Sequence, residues 1–502
     1  MARIRELFIH AKRLPVLFII SYFIILVILS FYVSDINNAM SVDSYRLYSI
    51  DDADRYYYVH CLWKTPIVIF NPEVLPFHSL TVAAIAPLLN AAGVTGITAH
   101  RLVAAFFSMV SLAALYGIMR KLEFSDGWVM AGLLLVASNP LYLVLSILTL
   151  PEIILLAFVL FGVYSYYREK YFLSIIFISL APLIRYQAYP LLGVWGLLYL
   201  YKFFKEHQPR YLLYIAVASL PTLASMVAQY LIFQNPIYWY TYLSEEMVLW
   251  TEFAGLSGST SMENFMFFAP PIMYEYGYLF IALGIAGFFY TLRDKKYLLV
   301  NLSILLLLYE LWYLVFFGRY MNDRRLLQAF TLASIPVTVL LTKIGSLKFK
   351  KVGMALAISL VSVMVFTNLY NLHVGVRAPG TCCDDGTYMP RDTMKWIESN
   401  YSKEKYGTMY INMARVDRLF VLDDNCVLAG SNARLYTEGY RADRCMSVSW
   451  MIGDVKHETE FPQKGIFITP STNIPKCNPE NVTLEAIQEI ENDSVKIIKI
   501  GS

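Results

Sequence analysis

The sequence predicts a polytopic α-helical membrane protein with about eleven transmembrane helices and a small α/β domain after the last of them. Three observations carry that prediction. Hydrophobic residues make up 57% of the 502-residue chain, charged residues only 16%, and the mean hydropathy is +0.50, far from the soluble average. Apolar runs of membrane-crossing length recur from residue 14 to residue 370. Beyond residue 371 they stop, and short strand-like and helix-like segments follow.

The first element opens with "MARIRELFIHAKRLPVLFIISYFIILVILSFYV", where Arg3, Arg5, Lys12 and Arg13 precede about twenty apolar residues. No small-residue cleavage site follows, so this is expected to be an uncleaved first span. The other apolar spans fall near 98–119, 128–148, 151–167, 171–184, 187–204, 211–233, 278–292, 297–317, 326–342 and 352–370.

The connections between them alternate in charge. Arg120 and Lys121, Arg168 and Lys170, Lys202, Lys205 and Arg210, Arg293, Lys295 and Lys296, and Lys343, Lys348, Lys350 and Lys351 all fall on the side of the basic N-terminus. Cytoplasmic loops are enriched in lysine and arginine, so that side is predicted cytoplasmic, and an odd number of spans places the C-terminal part outside. Two further patterns agree. Cys61, Cys382, Cys383, Cys426, Cys445 and Cys477 all lie in segments placed outside, where disulfides persist. Acceptor sequons at Asn400, Asn481 and Asn492 lie there too, with little weight alone because such triplets are common.

This topology leaves three long extracytoplasmic pieces, at 34–97, 234–277 and 372–502. The first contains "SLTVAAIAPLLNAAGV", which is short and proline-interrupted and fits a helix lying at the membrane interface. The tail mixes strand-like runs ("YGTMYINM", "GIFITP", "VKIIKI") with helix-like ones ("RDTMKWIESNY", "NVTLEAIQEIEN"), hence the α/β prediction. Two domains result, a membrane domain over 1–371 and an extracytoplasmic domain over 372–502. The net charge of +3 is small and its basic residues are scattered, which argues against a nucleic-acid partner.

Charged residues on the outer side are the candidates for chemistry. "SIDDADRYYYV" packs Asp51, Asp52 and Asp54 into four positions of the first loop. A solvated acidic turn would read the same way. Three carboxylates so close repel one another, which raises the proton affinity of at least one unless a cation compensates; such a group suits a general base acting on a hydroxyl. Glu152 follows Pro151 at a tight outer turn, as an ordinary helix-start acid or as part of a cavity. Arg185 interrupts two apolar runs, as a snorkelling side chain or as an anion contact. "FFGRYMNDRRLLQAF" gathers Arg319, Arg324 and Arg325 against the topological trend, with Asp323 to balance them. Guanidinium geometry suits bidentate contact with phosphate, although a structural ion-pair network competes as an explanation. Glu310 lies one to two turns deeper and, as an intramembrane acid, is a cavity-lining candidate. "DAD" spells a DxD motif, and His60 and His78 share its loop, but no HExxH, CxxC or phosphate-binding glycine loop accompanies them.

Taken in order, "SIDDADRYYYV", "PFHSLTVAAIAPLLNAAGVTGITAHRLVAAFFSMVSLAALYGIMRKL", "LPEIILLAFVLFGVYSYY" and "PLIRYQAYPLL" resemble the blocks of the GT-C class of membrane glycosyltransferases. The branch holding protein O-mannosyltransferases and the aminoarabinose transferase of lipid A looks most similar, over roughly residues 10–340. The resemblance implies a polyprenyl-phosphate sugar donor, an acidic pair at Asp51 and Asp52 with Asp54 as an extra acid, a second acid at Glu152, an arginine-tyrosine pair at Arg185 and Tyr186, and lipid-phosphate contacts among Arg319, Arg324 and Arg325. It also implies inversion at the anomeric carbon. The WWDYG acceptor motif of oligosaccharyltransferases is absent from the tail, which argues against transfer of a whole glycan.

Elementary chemistry points the same way. Nucleotide sugars are not supplied outside the cytoplasmic membrane, so an outward-facing transferase needs a donor that crosses with its lipid. It also needs a base for the acceptor hydroxyl and cations for the departing phosphate. No cofactor is required on this reading, and a divalent metal is optional. The acceptor is a glycan, a lipid or a protein, and the location is the cell membrane. A transporter or flippase of a lipid-linked sugar is the main alternative, and a receptor or assembly scaffold the third. A transporter predicts inverted repeats and midplane charges, whereas no repeat stands out and the candidate charges gather at the outer edge.

Overall fold

The structure, a computed structural model, describes residues 2–34, 76–94, 96–148, 150–238, 240–241, 263, 272–273, 276–308, 323–347 and 349–377, and seven strands between 408 and 500. Asp51, Asp52, Asp54, His60, Glu310, Arg319, the six cysteines and the three sequon asparagines lie outside the described residues.

Thirteen α-helices form among the described residues of the membrane part: α1 (Ala2–Ser34), α2 (Pro76–Ala91), α3 (Gly96–Lys121), α4 (Asp126–Ala137), α5 (Pro140–Leu145), α6 (Pro151–Tyr167), α7 (Tyr171–Leu180), α8 (Tyr189–Glu206), α9 (Arg210–Phe233), α10 (Tyr278–Thr291), α11 (Leu298–Leu307), α12 (Leu327–Gly345) and α13 (Lys350–Arg377). Helix lies in every one of the eleven apolar segments. Among the described residues five stretches are long and apolar enough to cross a membrane, namely Leu14–Tyr32, Thr98–Lys121, Arg210–Leu231, Leu327–Gly345 and Lys350–Asn371, while Asp126–Ala137, Pro151–Tyr167, Tyr171–Leu183 and Tyr278–Thr291 are shorter apolar helices.

The expected span over 128–148 is not one helix. Ser138 ends α4, and Asn139 begins α5 by accepting from the Tyr142 amide at 3.0 Å, with Pro140 in the first turn. Proline has no amide proton to continue the helical ladder, so the break falls where the sequence puts Asn-Pro. Side chains on either side of the break bond to neighbouring helices. Asn368 Nδ2 of α13 donates to Ser138 Oγ at 3.1 Å, and the Tyr142 hydroxyl donates to the Ser108 carbonyl of α3 at 2.8 Å.

Helix α6 lies at the centre. It is buried on nearly every side and packs among α3, α7 and α12, as a helix apolar all round should. Helix α13 instead exposes Val352, Ile358, Val363, Phe366 and Tyr370, a surface suited to lipid.

Close approach of helices depends on small residues, as is common in membrane bundles. A Cβ on Gly287 of α10 would collide with the Pro336 carbonyl of α12, whereas one on Gly196 of α8 would meet nothing within 4 Å. Gly287→Ala should therefore destabilise the bundle by about 1–3 kcal/mol through overpacking. Gly196→Ala should be neutral or stabilising by up to about 1 kcal/mol. Thermal denaturation of the two variants in detergent checks the contrast, and equal midpoints would show that the α10–α12 contact yields freely.

The basic connections share one end of the bundle. The Tyr167 hydroxyl donates to the Lys296 carbonyl at 2.8 Å, Lys202 Nζ lies 4.1 Å from the Tyr171 ring centre, and Lys343 Nζ lies 5.9 Å from that of Tyr290. Trp128, just after the connection that carries Arg120, sits against Gly345. Glu152 begins α6 and Tyr167 ends it, so Glu152 stands about 22 Å away at the opposite end.

Beyond residue 407 the described residues are strands, β1 (Thr408–Met413), β2 (Arg418–Leu422), β3 (Val448–Ile452), β4 (Val455–Thr459), β5 (Gly465–Pro470), β6 (Leu484–Ile490) and β7 (Val495–Ile500). Five form a mixed sheet in the order β2-β1-β5-β7-β6, in which β1 and β5 are parallel, and β3 pairs with β4 separately. This corrects one expectation, since the helix-like run "NVTLEAIQEIEN" supplies strand β6, antiparallel to β7 with a register shift between Ala486 and Gln488. A ladder partner outweighs the weak helical preference of Leu, Glu, Ala and Gln.

Candidate functional site

Three helix boundaries meet at the end of the bundle opposite the basic connections. Pro151 occupies the first turn of α6, its missing amide costing nothing there. Glu152 follows, where the positive end of the helix dipole favours a carboxylate. Between α7 and α8 the chain makes two 3₁₀ turns, Ala181–Leu183, which contains Pro182, and Tyr186–Ala188, which is followed by Pro190 in the first turn of α8, with Arg185 extended between them. Those two prolines divide a long apolar run and place a guanidinium at the division. A third 3₁₀ turn, Asp323–Leu326, carries Arg324 into the start of α12.

Glu152 draws these boundaries together. Its side chain is wholly buried, and its Oε1 accepts from Arg185 Nη2 and lies 3.3 Å from Arg324 Nε. Only 9% of the Arg185 side chain and 11% of that of Arg324 are exposed. One turn beyond Arg324, the buried Gln328 donates from Nε2 to the Glu152 backbone carbonyl at 3.1 Å. Among the described contacts, two guanidinium groups thus face one carboxylate oxygen. Guanidinium groups so placed suit contact with an anion such as phosphate. Among the described residues no group of three His, Cys, Asp or Glu is arranged to hold a metal ion.

Of the residues singled out in the sequence, the structure thus brings together Glu152, Arg185 and Arg324, from positions 33 and 172 residues apart along the chain. Tyr186 is buried beside Arg185 at the start of its 3₁₀ turn. Arg325 lies in the same turn as Arg324. Glu310, Arg319 and the aspartates of the first loop lie outside the described residues.

Two polar residues escaped the sequence reading. Gln328 sits in an apolar helix as a neutral residue, and nothing in its sequence neighbourhood marks it. Arg101 was legible. It is fully buried in α3, inside the apolar segment 98–119, and an ionisable group within a membrane span is a functional candidate by default. His78 of α2 and His100 of α3 are buried as well.

The comparisons with known proteins follow this geometry. Residues 90–181 match the family model described as dolichyl-phosphate-mannose-protein mannosyltransferase. That stretch runs from the end of α2 through α7 and includes Arg101 and Glu152; Arg185 and Arg324 lie beyond it. No curated protein sequence matches the chain. Among solved structures, ArnT from Cupriavidus metallidurans, in the apo state, is similar at 10% identity and a TM-score of 0.48, over 92% of this chain and 96% of that one. An Archaeoglobus fulgidus oligosaccharyltransferase, solved with Zn and sulfate, is similar at 14% identity and a TM-score of 0.40 over 70% of this chain. The oligosaccharyltransferase AglB of the same organism, in complex with an inhibitory peptide and a dolichol-phosphate, gives 13% identity and a TM-score of 0.40. The chain spans 52% and 55% of the length of those two archaeal proteins. Over residues 90–181, then, the chain matches the dolichyl-phosphate-mannose-protein mannosyltransferases, glycosyltransferases of the branch that its sequence blocks resemble.

Proposed function

We propose that the chain is a membrane glycosyltransferase that moves a single sugar from a polyprenyl (dolichyl) phosphate to an acceptor on the extracytoplasmic face, inverting the anomeric carbon. The observation that carries the proposal is the Glu152–Arg185–Arg324 cluster, which brings two guanidinium groups together at the end of the bundle opposite the basic connections. By the positive-inside rule that end is extracytoplasmic and the N-terminus cytoplasmic. Eleven crossings then put residues 372–502 outside, as a domain separate from the catalytic membrane domain over 1–371.

In the proposed step a carboxylate of the first loop, Asp52 with Asp51 as its neighbour, takes the proton from the acceptor hydroxyl. The acceptor oxygen bonds to the anomeric carbon as that carbon's bond to the phosphate oxygen breaks. The electron pair leaves on polyprenyl phosphate, and Arg185 and Arg324, with Arg319 and Arg325 as further candidates, stabilise it. Phosphate is a good leaving group when its charge is matched, so the step needs cations there more than an acid. A divalent metal remains optional. The acceptor is a glycan, a lipid or a protein, and no nucleic acid takes part.

Purified protein incubated with labelled dolichyl-phosphate sugar should release dolichyl phosphate when an acceptor is supplied. Vectorial movement of the intact lipid-linked sugar without cleavage would instead identify a transporter or flippase. The orientation has its own test. With the membrane sealed and its thiols reduced, an impermeant thiol reagent added outside should label Cys61 and the five tail cysteines. Labelling only after the membrane is opened would reverse the topology.

A further inference from the structure

We propose that Glu152 acts as a positioning residue for the donor phosphate, holding Arg185 and Arg324 in one orientation without touching the substrate. The inference deepens the proposed function and rests on it. The sequence resemblance groups this acid with the substrate-binding residues, but its side chain is wholly buried, whereas a small part of each arginine side chain, 9% of Arg185 and 11% of Arg324, is exposed. A phosphate arriving at this end of the bundle therefore meets the arginines, with the acid behind them.

The geometry explains why an acid is needed there. Arg185 comes from the turn between α7 and α8 and Arg324 from the turn before α12, and the two like charges share a single oxygen, Glu152 Oε1. Without that anion they repel each other, and a buried guanidinium turns toward any other acceptor it can reach. With it, both planes are pinned at a common point. The acid itself is fixed three ways, by the dipole of α6, by the proline before it, and by Gln328, which grips its backbone carbonyl from one turn beyond Arg324. Glu152 thereby presents the two arginines in a pre-set geometry. A site organised in advance loses less on binding than one that must assemble around its ligand.

The test is Glu152→Gln, which keeps the shape and removes the charge, measured in intact protein. The donor KM should rise about tenfold or more and inhibition by dolichyl phosphate, which lacks the sugar, should weaken by a similar factor. The acceptor KM should not change. In an Arg324→Gln background the same substitution should cost clearly less, because residues that act through one another are not additive. Unchanged dolichyl phosphate affinity, or losses that simply multiply in the double variant, would overturn the positioning role. If Glu152→Gln does not fold, Glu152→Asp retains the charge one methylene further back, and a raised donor KM with an unchanged acceptor KM is again expected. Direct binding of dolichyl phosphate to wild type and variant separates the two ideas: wild-type protein that binds it but transfers no sugar defeats the proposed function and leaves the positioning role to be judged on the affinities.

Discussion

Asp52→Asn should lower turnover by about a hundredfold or more, since positioned general bases typically contribute a factor of that order. Asparagine keeps the size and polarity of the side chain and loses its ability to take a proton, so folding and donor binding should persist. Asp52 is central in the acidic run, next to the small Ala53, which leaves room for an acceptor. Asp54→Asn should cost less, because that position is an extra acid relative to the family pattern. Steady-state rates of dolichyl phosphate release for the three single variants assign the role. Inactivity of Asp51→Asn with normal turnover for Asp52→Asn would shift the base by one residue, and normal rates for both would remove the loop from the chemistry.

The second large effect is expected at the arginines. A hydrogen bond to a charged group contributes about 1.5–3 kcal/mol, so Arg185→Gln or Arg324→Gln should raise the donor Kd by roughly ten- to a hundredfold. Glutamine is preferred to alanine because each arginine also neutralises a buried carboxylate. Removing one partner of a buried ion pair costs about 3–5 kcal/mol, and that loss would appear in stability. Arg185 carries the direct bond to Glu152, so its replacement should lower the thermal midpoint more than that of Arg324, 3.3 Å from the same oxygen. Donor affinity and thermal midpoint measured on the same samples keep binding and folding apart. Unchanged affinity in both variants would reduce the cluster to a structural ion pair.

Much of the architecture was legible before any coordinates. An apolar run long enough to cross a bilayer has few alternatives to helix, because a lipid environment leaves backbone groups no partners but their own. Hence all eleven apolar segments carry helix, and the basic connections, recognised by charge alone, gather at one end. The resemblance was legible too, in short blocks in a set order, and the family match over residues 90–181 overlaps two of those blocks. Glu152 and the arginines stood out because charges in an apolar sequence are costly enough to need a reason.

Other features needed the fold. Apolar periodicity runs through 128–148 without marking the break at Asn139, and only the fold shows Asn368 and Ser108 of distant helices bonded to side chains beside it. The strand at Leu484–Ile490 reads as helix in isolation and becomes a strand only beside β7. The sequence offered Glu152 and Arg185 as separate outer-turn residues, each with an ordinary local explanation, and Arg324 as one of three nearby arginines. That one carboxylate oxygen receives guanidinium groups from two distant turns, and that Gln328 holds the acid's backbone, is set by how α6, α12 and the 3₁₀ turns before α8 come together. Residue types and charges are local properties of the chain and can be read in order, whereas the sharing of one buried oxygen depends on angles and distances between helices that only packing decides.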